Sequence, residues 1–267
     1  MLHEMKSTDV ARILEYLRKD IENCIYLYID IWKYGVANSH MKVWFQEDEE
    51  GVNLVIMKYH SSFQIYSHLD KLDTDMIYKQ MKENDITMVS AKREIIEQLE
   101  PVSREEYFST FGEILRLTNF HSFQCEDICI EEATEEDAYE IAELICSDEY
   151  YQDSYTVSEF YEQLLDRMKT KMGRSFIIRD NGKIVAHNST SAETDDVAVA
   201  AMLLVKKEYR NTMYGIALEE FIVKKLNKEG KKLFGFSTNK KRRKQFELMG
   251  NKVVATYGKL IKNERRL

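Results

Sequence analysis

The sequence has little that would interrupt or loosen a fold. Its 267 residues contain one proline, Pro101, and ten glycines. That scarcity excludes collagen-like repeats, polyproline segments and a Gly/Ser-rich tether between domains. The four cysteines, Cys24, Cys125, Cys129 and Cys146, form no Cys-x-x-Cys pair. His121, Cys125 and Cys129 share a helical spacing that could aim them at one metal, but a strand expected near Asp127 breaks that geometry and no fourth ligand is evident. No metal site is therefore expected, and the thiols read as reduced and buried. No apolar run approaches the roughly 18 residues of a membrane span. The opening "MLHEMKSTDVARILEYL" carries acidic residues where a secretory leader needs an unbroken apolar core, so a cytoplasmic protein is expected. Cationic surplus is lacking too. A net charge of −8 argues against general nucleic-acid binding and is compatible with a cationic substrate such as an amine.

What is present is ample core material: hydrophobic residues are 44% of the chain and charged residues 31%. The length suits one large domain or two of about 130 residues. In the first half, Val10, Ile13, Leu14 and Leu17 fall at helical spacing behind the possible caps Ser7, Thr8 or Asp9. "NCIYLYIDI" mixes strand and helix character. "MKVWFQ", "GVNLVIMKY" and "SFQIYSH" read as three consecutive strands, with turns at Glu49–Gly51 and around His60 and Ser61. "TDMIYKQMKEND" is then a helix, "ITMVS" a strand and "AKREIIEQL" a helix that Pro101 ends. Trp32 and Trp44 belong to this half's core.

The pattern restarts near residue 126. "DICIEEAT" reads as a strand, and Thr134 caps a helix with Glu135, Glu136 and Asp137 in its first turn, burying Ala138, Ile141, Ala142 and Ile145. "TVSEFYEQLLDRMKTKM" is a second helix. "RSFIIRDNGKIVAHNSTSAE" is a hairpin turning at Asp180-Asn181-Gly182-Lys183. "DVAVAAMLLVKKEY" is a long apolar strand suited to the centre of a sheet. A helix, the strand "KKLFGFST", the helix "NKKRRKQFELMG" and the strand "NKVVATYGKLI" complete the chain. The expected domains are 1–125 and 126–267. Because the joining stretch "NFHSFQCED" lacks Gly and Pro, the two halves should pack together.

The chemistry-bearing stretch follows the long strand: Tyr209-Arg210-Asn211-Thr212-Met213-Tyr214-Gly215-Ile216-Ala217-Leu218. It resembles the signature of the GNAT superfamily of acyl-CoA-dependent N-acetyltransferases, Gln/Arg-x-x-Gly-x-Gly/Ala, set between the fourth strand and the next helix. Arg210 fills its first position and Gly215 its last. "FGFSTNKKRRKQFELMG" is similar to the family's next motif, in which an asparagine opens a helix and a glycine ends it. The physical basis is general: a helix N-terminus has unpaired N–H groups and a partial positive charge, and small residues let the backbone approach a diphosphate.

The resemblance implies an α/β (α+β) fold of two packed GNAT-like halves, each a mixed, mostly antiparallel twisted sheet flanked by helices. The first half is then a degenerate GNAT-like domain or, alternatively, an unrelated α/β accessory domain. The implied activity is transfer of an acetyl group from acetyl-CoA, as co-substrate, to a small amine or amino-acid-like acceptor by direct attack. The alternative is a catalytically weak or inactive module that binds CoA or a protein partner. Backbone groups of Met202, Leu203, Leu204 and Val205 would meet the pantetheine arm. Arg210, Asn211, Thr212, Met213, Tyr214, Gly215 and Ile216 would hold the pyrophosphate. Asn239 would support the pantetheine or the helix start, and Arg243 or Lys240 could pair the 3′-phosphate, although "NKKRRK" reads equally as a solvated helix face. Glu193 could be the general base acting through a water, as could Asp195 or Asp196. Tyr150, Tyr151 and Tyr155 could line the acceptor site or simply pack. His187, on an apolar strand, reads as a satisfied core histidine.

Two positions depart from the pattern. Met213 stands where the family has its middle glycine. If that residue needs positive φ, methionine costs of the order of 1 kcal/mol; if it is already helical, the cost is bulk alone. Phe246 stands where a tyrosine often protonates the departing thiolate, so water or Tyr257 would have to do that work. The chain is expected to be a monomer or a homodimer.

Overall fold

A computed structural model describes residues 2–118, 127–149 and 156–263, apart from the side chain of Arg242. Two repeats of one element order account for nearly all of it. The first runs β1 (His3–Glu4), α1 (Val10–Arg18), α2 (Ile25–Tyr34), β2 (Met41–Asp48), β3 (Gly51–Tyr59), β4 (Ser62–Ser67), α3 (Thr74–Glu83), β5 (Met88–Lys92), α4 (Arg93–Ser103) and β6 (Tyr107–Leu117). The second runs β7 (Glu131–Glu132), α5 (Ala138–Cys146), α6 (Val157–Lys169), β8 (Ser175–Asp180), β9 (Lys183–Glu193), β10 (Val197–Val205), α7 (Tyr214–Lys228), β11 (Lys232–Ser237), α8 (Lys240–Leu248) and β12 (Lys252–Lys262). Each is a mixed sheet flanked by helices.

The compact units do not follow the repeats to their ends. One comprises Met1–Ile114, Ser237–Asn239 and Val253–Leu267, the other Leu115–Phe236 and Lys240–Lys252. The sequence reading divides the chain after residue 125 and keeps the last strand with the second half. In the structure β12 pairs antiparallel with β5, from Tyr257 opposite Lys92 to Ile261 opposite Met88. Leu260 enters the first unit's core, beside Ile56, Ile65, Val89 and Ile96.

In the first unit, β2, β3 and β4 form an antiparallel meander, and β4 pairs parallel with β5 across the α3 connection. Both turns need a left-handed residue: Gly51 has φ 112° and His60 has φ 51°. Leu54, Phe63, Ile77, Met81, Ile95 and Leu99 fill the space between sheet and helices. "NCIYLYIDI" resolves as helix, since Ile25, Leu27, Tyr28, Ile29 and Ile31 are all buried in α2. Burial overrides the β-branched propensity of that run. α4 continues past Pro101 to Ser103, because a proline in the last turn removes one hydrogen bond that few later residues depend on.

In the second unit the strand order is β7-β8-β9-β10-β11. Asn181 (φ 48°) and Gly182 (φ 78°) make the β8–β9 turn where the sequence places it. α5 and α6 bury Ala138, Ile141, Ala142, Ile145, Phe160 and Leu164 against Ile177 and Ile184. The strand expected over "DICIEEAT" is only Glu131–Glu132, both exposed, paired to β8. β6 had no counterpart among the expected elements; Gly112 and the polar residues Ser109, Thr110, Glu113 and Arg116 blur its alternation.

Candidate functional site

The site begins as a defect in β10. This strand pairs with β9 from Ala198 opposite Glu193 to Val205 opposite Ala186, but its register slips between Ala201 and Leu204. The extra residue is a bulge, with Met202 at φ 58°, a left-handed conformation costly for a methionine. On its other edge β10 pairs with β11 only from Val197–Lys232 to Ala200–Gly235. Beyond that pair the ladder stops, and the strands part.

Three β9 side chains hold the bulge. His187 donates from Nδ1 to the Met202 carbonyl at 2.9 Å and accepts at Nε2 from the Ser175 hydroxyl at 3.0 Å. These partners fix its tautomer. Burial brings its pKa down to about 4, against the smaller upward effect of the Met202 bond, so the ring is neutral at physiological pH. Ser189 donates to the Ala201 carbonyl at 2.8 Å and Ser191 to that of Val199 at 3.4 Å. Carbonyls freed by the slip are thus satisfied from behind.

Two cavities open along this segment. One, of about 240 Å³, lies where β10 and β11 part; Ala200, Ala201, Met202, Leu203, Gly235, Phe236 and Phe246 line it, with Asn188 and Glu219 as polar members. The other, of about 400 Å³, lies at the turn into α7, walled by Asp148, Leu203, Leu204, Val205, Arg210, Thr212, Gly215, Ile216 and Glu219. Leu203 and Glu219 belong to both walls, so the cavities adjoin.

The N-terminus of α7 is open to this second cavity. No side chain caps it and no acid lies in its first turn. Thr212 Oγ1 accepts from the Tyr214 amide and the Met213 carbonyl from that of Ala217. Among the described residues the amides of Gly215 and Ile216 meet no acceptor, which leaves two donors and the positive end of the helix dipole for an anion. Met213 has φ −81° and ψ 3°, so it needs no left-handed backbone, and its side chain is 40% exposed and lines neither cavity. The departure from glycine costs bulk alone, and Met213 is not among the residues that line either cavity. Gly215 likewise has no positive φ; a Cβ there would meet Val205 at 3.5 Å.

Of the residues singled out in the sequence, Leu203, Leu204, Val205, Arg210, Thr212, Gly215, Ile216 and Phe246 line these cavities, whereas Asn211, Met213 and Tyr214 belong to the turn without lining them. Arg210 is already engaged: its Nη2 is 2.7 Å from the Asp148 carboxylate and its Nε donates to the Val205 carbonyl at 3.2 Å. Arg243 pairs with Glu247 on the same helix at 3.8 Å. Asn239 is grouped with the first unit and its amide donates to Ser237 Oγ. Tyr150, Tyr151, Tyr155, His121 and Cys125 lie outside the described residues.

The two residues expected to carry protons have other surroundings. Glu193 is 4% exposed and accepts from Arg174 Nε and Nη2, from Lys231 Nζ at 2.8 Å and from Thr190 Oγ1 at 2.6 Å. Burial alone would raise its pKa; the bonds from Arg174, Lys231 and Thr190 outweigh it and hold the carboxyl below its usual range. A carboxylate so saturated is a poor base, and it lines neither cavity. Tyr257 is buried in the first unit with its ring 5.7 Å from that of Tyr26, and burial pushes its hydroxyl well above the ordinary range. The residues that sequence reading missed are Asp148, Asn188 and Glu219. A charged residue on the buried face of α7, beside Ile222 and Val223, was a visible signal for Glu219; Asp148 is distant in sequence from Arg210 and gave none.

No family model matches the sequence, and no curated protein matches it either. Solved structures do. A Drosophila protein known from its X-ray structure superposes with a TM-score of 0.68 at 12% identity, covering 98% of both chains. A tandem GNAT protein from the clavulanic acid biosynthesis pathway gives 0.59 at 12% identity, again over 98% of both chains. A GNAT-family acetyltransferase from Colwellia psychrerythraea gives 0.59 at 12% identity, over 99% of this chain and 100% of that one. The chain has a tandem GNAT-like fold.

Proposed function

We propose that the second unit binds acetyl-CoA and that the chain is a cytoplasmic N-acyltransferase acting on a small amine. One observation carries this reading: a strand that is bulged on one edge and unpaired on the other runs directly into a helix whose N-terminus is left without a cap. The backbone groups of Met202–Leu203 that His187 does not engage suit an amide-bearing arm, and the Gly215 and Ile216 amides suit a diphosphate. The co-substrate supplies an activated acyl carbon that an amine attacks directly, so no side-chain nucleophile is required. In this reading His187 is a positioning residue. It holds the bulge through the Met202 carbonyl and stays neutral while doing so. Glu193 braces β9 against Arg174 and Lys231, and water takes the amine proton.

A second reading, a module that binds without turnover, is favoured by Phe246. Its ring lines the first cavity where the resemblance places a proton-donating tyrosine. Calorimetric titration with acetyl-CoA, followed by thiol release against a panel of amines, separates the two. Heat with thiol release supports the enzyme; heat without it supports the module, and a Phe246→Tyr variant should then gain thiol release. No heat and no thermal shift at millimolar acetyl-CoA would sink both.

A further inference from the structure

Among the described residues Arg210 is the one cation lining the second cavity, and in this structure it is held by an acid rather than presented to the space. Asp148, just past the end of α5, brings its carboxylate to 2.7 Å from Nη2. The Asp148 side chain is 13% exposed and that of Arg210 51%, so the acid is the fixed partner and the guanidinium the movable one. The other anchor of Arg210 is local, from Nε to the Val205 carbonyl, and can persist while the Nη groups change partner. With Glu219 also on the wall, the described lining sets one cation against two anions. A diphosphate entering it would be repelled unless Arg210 turned from Asp148 to the phosphate oxygens.

We propose that Asp148 is an internal competitor for Arg210: it occupies the guanidinium until a diphosphate displaces it, and so sets how tightly this cavity holds diphosphate-bearing ligands. The idea rests on the acetyl-CoA reading for its biological ligand but not for its physics, since any diphosphate must meet the same pair. The exchange makes affinity the difference between two charge-assisted bonds. Removing the acid's charge therefore strengthens binding, whereas removing the guanidinium weakens it.

The test uses the full-length chain, calorimetry, and two probes, inorganic pyrophosphate and acetyl-CoA. Asp148→Asn should tighten pyrophosphate binding about two- to fivefold, the scale of a partly exposed ion pair. Asp148→Glu should restore the wild-type value. In an Arg210→Gln background, Asp148→Asn should tighten binding clearly less than it does beside Arg210, a dependence that a merely structural Asp148 would not show. Weaker or unchanged pyrophosphate binding in Asp148→Asn overturns the proposal, as does tightening of the same size without Arg210. Absence of pyrophosphate binding in every variant also overturns it. If pyrophosphate follows the expected pattern while acetyl-CoA does not bind, the competitor stands and the acetyl-CoA reading falls. If acetyl-CoA binds wild type and Asp148→Asn equally, the reverse holds.

Discussion

β4 and β10 stand at the same place in the two repeats, each closing a three-stranded meander and leading to a helix. They are finished differently. β4 pairs with β3 without a register shift, from Leu54 opposite Ser67 to Tyr59 opposite Ser62, and none of its residues has positive φ. The helix after it, α3, is sealed: the Asp73 carboxylate accepts from the Met76 amide at 3.0 Å, and Asp75 adds charge to the first turn. β10 is bulged and half unpaired, and α7 has neither cap nor acid. One repeat spends its backbone groups on itself; the other withholds them. The proposed binding site is made by omission, and its cost falls on supporting residues such as His187 and Ser189.

The largest expected effect tests whether Glu193 is support or machinery. Replacing Glu193 with Ala leaves Lys231 without its buried partner and Arg174 with Glu229 alone, and about 3 kcal/mol of unfolding free energy should be lost in urea titration. Thiol release per folded molecule should keep its pH profile; a lost acidic limb would instead return Glu193 to catalysis.

Nearly as large is the pH response. His187 has a folded-state pKa of about 4, below the ordinary imidazole value of 6.5, so the folded state binds fewer protons between those values. Its contribution is whole above pH 6.5 and is lost as pH falls toward 4, about 3 kcal/mol in all. Asp30, in the first unit, acts in the opposite sense. Burial raises it to about 6, against the hydrogen bond from Gln64, so its effect favours the folded state at low pH and fades as pH rises through 6. In an Asp30→Asn background the unfolding free energy should therefore climb more steeply from pH 4 to 6.5, and adding His187→Gln should flatten that climb. A slope indifferent to His187 would show that the bulge does not depend on a neutral ring.

Smaller effects come from exchanging the two helix starts. Asp73→Ala should cost about 1 kcal/mol, read as a lower thermal midpoint, because α3 loses its cap. Met213→Asp, placing an acid at the start of α7, should add a few tenths of a kcal/mol through the helix dipole while weakening acetyl-CoA binding. If that binding were unaffected, the open N-terminus would not be the anion site. Smallest of all, Tyr257→Phe should leave thiol release unchanged, since that ring packs on Tyr26 in the first unit.

Much of this was legible in advance where the signal is local. The Asn181-Gly182 turn, the Thr134 and Thr156 helix starts and the apolar run of β10 are set by neighbouring residues, and they appear where the sequence places them. The signature marks Arg210 and Gly215 for the same reason. What could not be read depends on distant partners. Apolarity alone does not tell that β10 would slip at Met202, because the slip is held by three side chains of another strand. Glu193 reads from the sequence as a candidate base, because the partners that saturate it, Arg174 and Lys231, come from elsewhere in the chain. The pairing of β12 with β5 is of the same kind, since nothing within "NKVVATYGKLI" names its neighbour.

That last pairing has a consequence for how the molecule is made. Domains emerging from the ribosome usually fold in order, the N-terminal one first. Here the earlier half must wait: the strand that lays Leu260 among Ile56, Val89 and Ile96 is among the last to be synthesised. A nascent chain halted before residue 253 would carry a complete second unit and an unfinished first one, with an open sheet edge inviting chaperones or self-association.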